Sequence, residues 1–371
     1  MSRLKILILK PDNIGDAVLF SGALQHVRNL HPEAHVTLAL NGRVVDLFVL
    51  CPFVDACVSV DTLAWWGKLE RRNFFLENTL RRVVFGLNKA WSTWRGRFDT
   101  IIFPVKSPQY HQLELVDCLN VKNGYGVVGC TLNAPPDGWP ARLHPERLFT
   151  ECFDSSKAEP WVHELHFVSG FLHFLGCRDL STDDILPRLW LSGQDNCQLD
   201  SIRGQGKKIV ALFPGASAEM RQWPPANYGA LAGLLEGPLL YVIFGSTADR
   251  DVADQVSVAI RESRADVEVV NLAGKTSLSA LAKCISCCDL FIGMETSGLH
   301  VAIAAGVPTV GIVGGGHFGR FAPWGSPEKH MVVTHKLDCF HCNWVCSREE
   351  PECITDVTPF AVAQAARELL E

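Results

Sequence analysis

A surplus of basic residues is what the sequence most plainly lacks: 34 Lys and Arg stand against 40 Asp and Glu, a formal net charge of -6. A nucleic-acid footprint over the whole protein is thereby excluded, because neutralising phosphates requires an excess of cations. Long apolar runs are missing too. The longest weakly polar stretch, residues 299–316, is broken by Gly306, Pro308 and three consecutive glycines, so no transmembrane helix is expected. Met1 leads directly into a short apolar run at residues 5–9, without a long signal core or small-residue cleavage site, and a cytoplasmic protein is expected. The loop after the apolar run at residues 208–213 has neither G-x-G-x-x-G nor the Lys-Ser/Thr ending of a P-loop. Its absence argues against an NAD dehydrogenase and against triphosphate binding of the P-loop kind. No Asp-x-Asp pair reads as a metal site, so no catalytic cofactor is expected.

The 371 residues exceed one ordinary core, and 47% hydrophobic against 20% charged residues supplies material for two packed domains rather than a disordered chain. Short apolar runs alternate with helical patterns, the signature of βα units around parallel sheets. Strands are predicted at residues 5–9, 34–40 and 100–103, with a helix over 16–30. The pattern restarts with strands at 208–213, 238–244, 267–271, 290–292 and 309–313, separated by helices at 225–235, 248–262, 277–287 and 298–305. A polar linker is expected at 192–206, and a terminal helix over 358–371.

Residues 62–98 break this regularity, with eight Lys and Arg against Glu70 and Glu77, interleaved with Trp65, Trp66, Phe74, Phe75, Trp91 and Trp94. Such a stretch suits the surface of an anionic membrane or an acidic acceptor, and equally an exposed helical pair whose aromatics pack on the first domain.

Three loops carry candidate chemistry. Lys10-Pro-Asp-Asn-Ile-Gly-Asp16 joins the first strand to the first helix, at the sheet edge where open α/β folds bind ligands. Asp16 either caps that helix or acts as a base toward a hydroxyl, with Asp12 less well placed. The loop Phe213-Pro-Gly-Ala-Ser-Ala-Glu-Met-Arg-Gln-Trp-Pro224 offers amides after Gly215, the Ser217 hydroxyl and the Arg221 guanidinium for a diphosphate, or simply begins a helix at Trp223-Pro-Pro225. In Gly293-Met-Glu-Thr-Ser-Gly-Leu-His300, Glu295 suits a sugar diol and the helix start with Gly298 suits a phosphate. Thr296 or Ser297 doubles as an N-cap, and His300 is either a phosphate or sugar contact or a structural imidazole. Gly314-Gly-Gly-His-Phe-Gly-Arg320 follows the next strand and is expected to supply flexible backbone at the same edge.

These motifs, with Asn-Leu-Ala-Gly-Lys-Thr-Ser-Leu278 between them, stand in an order that resembles glycosyltransferase family nine, the heptosyltransferase family. The resemblance spans both halves except residues 62–205. It implies an α/β protein of the GT-B fold: two Rossmann-like domains facing a central cleft, with the terminal helix packing back across the lobes. The acceptor domain would occupy residues 1–195, including the basic insertion 62–98, and the nucleotide-sugar domain 206–357. It implies an inverting, metal-independent transfer with Asp16 as general base. Donor binding falls to Ser217, Arg221, Gly245, Glu295, Thr296, Ser297, Gly298 and His300. The implied partners are an ADP-heptose-like donor and a glycan or lipopolysaccharide-type glycolipid acceptor, with peripheral contact at the inner membrane face and no nucleic acid. The family usually has Asp where Glu295 stands and commonly Lys where Arg221 stands, changes that bear on donor identity and phosphate pose.

Cys339-x2-Cys342-x3-Cys346-x6-Cys353 lies near the end of the second half, within residues 339–353. Four thiolates suit a structural zinc or iron; reduced thiols and disulfides are the other readings. Alternative functions are an inactive nucleotide-sugar-binding protein of the same fold, a protein O-glycosyltransferase, and a sugar-nucleotide epimerase.

Overall fold

Runs such as Ile6–Leu9 and Leu290–Ile292 are apolar at every position rather than at alternate ones, as strands covered on both faces require. In the computed structural model they lie at the centres of two parallel sheets. The structure describes residues 3–60, 94–130, 140–156, 159, 161–192, 197, 199 and 206–371. Most of the basic and aromatic stretch, residues 61–93, lies outside the described residues; of its end, Trp94 meets Phe98 edge-on and both pack against the first unit's core.

The chain divides into two compact units, residues 1–160 with 165–185, and residues 161–164 with 186–371. The division falls after Ile185, whereas the first domain is expected from the sequence to run to residue 195. In the first unit the strands are β1 (Lys5–Lys10), β2 (His35–Leu40), β3 (Ala56–Ser59), β4 (Thr100–Ile102), β5 (Asn123–Val128) and β6 (Glu151–Asp154). They lie in the order β3-β2-β1-β4-β5-β6, every pair parallel. The second unit has β7 (Lys208–Phe213), β8 (Leu239–Ile243), β9 (Glu268–Asn271), β10 (Leu290–Met294), β11 (Thr309–Ile312) and β12 (His330–Val333). Their order, β12-β11-β10-β7-β8-β9, repeats the doubly wound plan. In each sheet the chain therefore reverses direction beside its first strand, at β1/β4 and at β7/β10. Ligand crevices of such sheets open at the carboxyl ends of those strands.

The first-unit helices are α1 (Ile14–Phe20), α2 (Ala23–Leu30), α3 (Tyr110–Leu119), α4 (Pro145–Leu148) and α5 (Glu164–Phe174), the last beginning at the unit boundary. The single helix expected over 16–30 is two. Ser21 and Gly22 keep right-handed helical angles, but Ser21 N–H bonds Val18 O at 3.0 Å and Leu24 N–H bonds Ser21 O at 3.3 Å, tightened turns that interrupt the ladder.

The second unit carries α6 (Pro225–Leu234), α7 (Arg250–Ser263), α8 (Leu278–Ile285), α9 (Ser297–Ala304), α10 (Glu352–Thr355) and α11 (Pro359–Leu370). Trp223 is fully buried in its core, edge-on to Tyr228, and donates Nε1–H to Val357 O at 2.8 Å. Pro225 then opens α6 where a missing N–H costs nothing. The terminal helix α11 packs on α6 and on β10, β11 and β12 of its own unit, with Arg367 donating to Leu234 O at 2.6 Å. No helix among the described residues is long and apolar enough to cross a membrane.

Candidate donor-binding and catalytic sites

In the first unit the two aspartates of the loop after β1 part company. Lys10 is buried at the end of β1, where its ammonium pairs with Asp12 Oδ2 at 2.6 Å and donates to Pro104 O at 3.2 Å. Asp12 is thus spent on neutralising a buried cation, with Gln112 Nε2–H also directed at it from 3.4 Å. Asp16 instead sits half-buried in the first turn of α1, whose N-cap is Asn13. Asp16 is therefore not the N-cap residue, and a negative charge in the first turn suits the positive end of the helix.

In the second unit the loops after β7 and β10 meet. Arg221, in the tight turn Glu219–Arg221, donates Nη2–H to Glu295 O at 2.9 Å and Nη1–H to Ser217 Oγ at 3.3 Å. These use two of the five guanidinium donors. Glu295 is 5% exposed, and neither of its buried carboxyl oxygens accepts a hydrogen bond among the described residues. Burial pushes its pKa up to about 8, against the pull of the Arg221 and Arg320 charges. A buried carboxyl with both oxygens unsatisfied is costly and marks a place where ligand hydroxyls would complete the bonding.

Thr296 occupies the N-cap of α9 without capping it: its hydroxyl lies 3.5 Å from Met294 O, and the first amides of α9 receive no side-chain cap. Ser297 is the first helical residue. That leaves backbone donors at a helix start beside Arg221, a suitable anion seat. His300 is 4% exposed, lies nearly coplanar with Trp324 and accepts Trp324 Nε1–H at Nδ1 over 3.0 Å. Since indole only donates, the imidazole is neutral with its proton on Nε2; burial, with His163 nearby, holds its pKa down to about 3. His300 can therefore donate to an oxygen but carries no charge toward a phosphate.

The glycines have packing reasons of their own. A Cβ on Gly298 would lie 2.6 Å from the Phe213 ring, and one on Gly245 2.9 Å from Asp249 Cβ. Asp249, of the Asp249-Arg250-Asp251 sequence, accepts from Ser246 N–H and Oγ–H at 2.7 and 2.6 Å, the work of a cap rather than of a metal ligand. The glycine-rich loop is not the free backbone expected at the sheet edge: Gly315 is packed under Phe340, and Gly314 and Gly316 under Trp344. His341 and Asn343 N–H groups bond Gly315 O and Gly316 O at 2.8 and 3.1 Å.

Glu164 and Trp344 belong to none of the sequence motifs, and Arg320 enters one only as the end of the glycine-rich loop, with no role of its own. Arg320 is 9% exposed, with Nε 3.6 Å from Glu164 Oε2 and the guanidinium 4.7 Å from the Phe321 centroid. Trp344 lies over Arg221 at 4.7 Å. Neither Arg320 nor Glu164 nor Trp344 stands in a recognisable spacing with Glu295, because their contacts cross from separate segments of chain.

Cys339, Cys342, Cys346 and Cys353 line one small pocket beside Gly315 and Trp344. All are free thiols; burial raises Cys353, and the three other thiols add to the rise. No three His, Cys, Asp or Glu side chains among the described residues are grouped so as to hold a metal ion.

Two parallel six-strand sheets, each with its candidate loops at the strand-order reversal, define an α/β glycosyltransferase fold of the GT-B type. The model described as glycosyltransferase family 9 (heptosyltransferase) matches residues 153–350, and the chain belongs to that family. It is 29% identical to lipooligosaccharide heptosyltransferase 2 of Campylobacter jejuni over 222 residues, 59% of this chain and 67% of that one. A family 9 glycosyltransferase structure from Veillonella parvula matches with TM-score 0.73 at 18% identity, over 99% of this chain and 97% of that one. The dodecameric iron-containing heptosyltransferase TibC of enterotoxigenic E. coli, in complex with ADP-D-beta-D-heptose, matches with TM-score 0.56 at 13% identity, over 99% of this chain and 77% of that one.

Proposed function

We propose that this glycosyltransferase moves a heptose from an ADP-heptose-like donor to a hydroxyl of a lipopolysaccharide-type glycan, with inversion at the anomeric carbon. The observation that carries the reading is the pairing of Arg221 with the unsatisfied, buried Glu295 beside an uncapped helix start. Glu295 accepts from donor hydroxyls, and Arg221, Ser217 and the first amides of α9 hold the diphosphate. The heptosyltransferase names of the relatives and the ADP-heptose bound to TibC support the choice of sugar and nucleotide.

Asp16 takes the proton from the acceptor hydroxyl as that oxygen forms its bond to the anomeric carbon. The bond from that carbon to the diphosphate oxygen breaks, and the nucleoside diphosphate leaves with the electron pair. Base assistance of this kind contributes about 10²–10⁴-fold. The growing charge on the leaving group is met by Arg221 and the helix amides, in a role elsewhere filled by a divalent cation. The basic and aromatic residues 62–98 support contact with an anionic glycolipid surface.

Incubation with ADP-heptose and a heptose-deficient lipopolysaccharide acceptor, with GDP- and UDP-sugars in parallel, tests the reading. The expected result is ADP release matched by one heptosyl unit gained with inverted configuration. Hydrolysis or epimerisation of the donor without acceptor glycosylation would overturn it.

Four cysteines sharing one pocket are a soft donor set, and iron is present in TibC; both support a structural zinc or iron, for which the thiols, not grouped as ligands in this structure, would have to turn toward one another. Cys339, Cys342, Cys346 and Cys353 would hold it, and it would supply a cross-link rather than take part in transfer. Elemental analysis of freshly purified protein is expected to give one ion per chain, lost together with thermal stability in Cys342→Ser; a metal-free wild type excludes the ion.

A further inference from the structure

We propose that Trp344, in the cysteine-rich segment, is a positioning residue for the donor: its indole face fixes the plane of the Arg221 guanidinium that receives the diphosphate. The inference rests on the donor-binding role given to Arg221.

Arg221 is bounded on three sides. Ser217 Oγ and Glu295 O accept from its two terminal nitrogens, and the Trp344 ring lies 4.7 Å from its Cζ. A ring face under a planar cation stabilises it electrostatically and restricts its rotation. Trp344 is itself held. Its Nε1–H is directed at His317 Nδ1 over 3.3 Å, and His317 Nε2–H bonds Asn343 Oδ1 at 2.7 Å. Beneath the ring lie Gly314 and Gly316, where any Cβ would collide with it.

The backbone shows that this placement is imposed. His341, Asn343 and Trp344 have φ of +68°, +51° and +61°, three non-glycine residues in the left-handed region within four positions. Bulky side chains avoid that region, and such conformations persist only where surroundings over-determine them. Here the surroundings are the bonds from His341 and Asn343 N–H to Gly315 O and Gly316 O, and the stack of His341 on Trp161 at 5.2 Å. A segment needed only to cover the sheet edge could do so in extended backbone. The bent backbone brings the indole onto Arg221.

Calorimetric titration of the full chain with ADP, and donor KM and kcat in the transfer assay, test the role in Trp344→Ala, Trp344→Leu, Trp344→Phe, Arg221→Ala and the double variant Trp344→Ala/Arg221→Ala. The expected loss of ADP affinity in the Ala and Leu variants is roughly threefold to thirtyfold. Donor KM should rise with it while kcat changes little, and Phe, which keeps a ring face, should restore most of the affinity. In the Arg221→Ala background, Trp344→Ala should cost nothing further. Leu behaving like wild type, or an equal loss with and without Arg221, overturns the role even if the Ala variant fails to fold. Loss of ADP binding in Arg221→Ala with full affinity in Trp344→Leu overturns the positioning role and leaves the donor reading standing. No ADP binding by the wild type removes both.

Discussion

Arg221 bonds the backbone carbonyl of Glu295 at 2.9 Å, while the carboxyl group of the same glutamate, buried, accepts no hydrogen bond among the described residues. The guanidinium thus fixes the turn that presents the acid without satisfying the acid itself. A neutral or weakly ionised carboxyl follows, waiting for hydroxyl donors from a ligand.

That arrangement has a pH signature in the ligand-free protein. Glu295 is raised from 4.5 to about 8, so between those values the folded state holds a proton that the unfolded state has lost, and stability falls as pH rises. Below about 6.5 the neutral His300 and His330, held down to about 3 and about 4, act in the opposite sense, because the unfolded chain gains protons there. His31 and His317, also held down by burial, act likewise, and above about 8 the buried thiols, raised by burial, add to the loss, so the Glu295 slope is read in the window between about pH 7 and 8. Denaturant melts are expected to show stability dropping across it, with a ceiling for Glu295 of about 5 kcal/mol over the full shift. Glu295→Gln should flatten the slope and raise donor KM; an unchanged slope contradicts the assignment.

Arg221→Lys keeps the charge but loses the fork that holds both Ser217 and Glu295. Charge-assisted hydrogen bonds contribute about 1.5–3 kcal/mol each, so ADP affinity should fall about tenfold or more, with a rise in donor KM. Equal affinity for ADP in the lysine variant would show that the planar contact is not used.

Gly298→Ala separates packing from ligand contact. The added methyl meets the Phe213 ring at 2.6 Å, an overpacking that costs about 1–3 kcal/mol. Phe213→Leu combined with it should recover part of that stability. No loss in a thermal melt of Gly298→Ala alone would mean the ring moves aside freely.

The central strands were legible because double burial writes itself as unbroken apolar runs, and β7 spans the predicted residues 208–213. Arg221 and Glu295 were legible because each follows such a strand, where the doubly wound plan collects ligand groups. Arg320 with Glu164, and Trp344 on Arg221, were not. Each depends on segments far apart in sequence, and no local spacing encodes the encounter. The glycines at 314–316 read locally as free loop, because local sequence cannot reveal the aromatic rings seated on them. The break at Ser21 and Gly22 leaves no mark in the sequence pattern, because both residues keep helical angles and only the hydrogen-bond ladder changes.

The proposed transfer depends on Asp16, half-buried in the first turn of its helix while Asp12 is committed to Lys10. Turnover of Asp16→Asn at saturating ADP-heptose and acceptor is the direct measurement. The expected result is a kcat lower by about 10²–10⁴-fold with ADP affinity unchanged. Undiminished turnover in that variant would contradict sugar transfer by the proposed base.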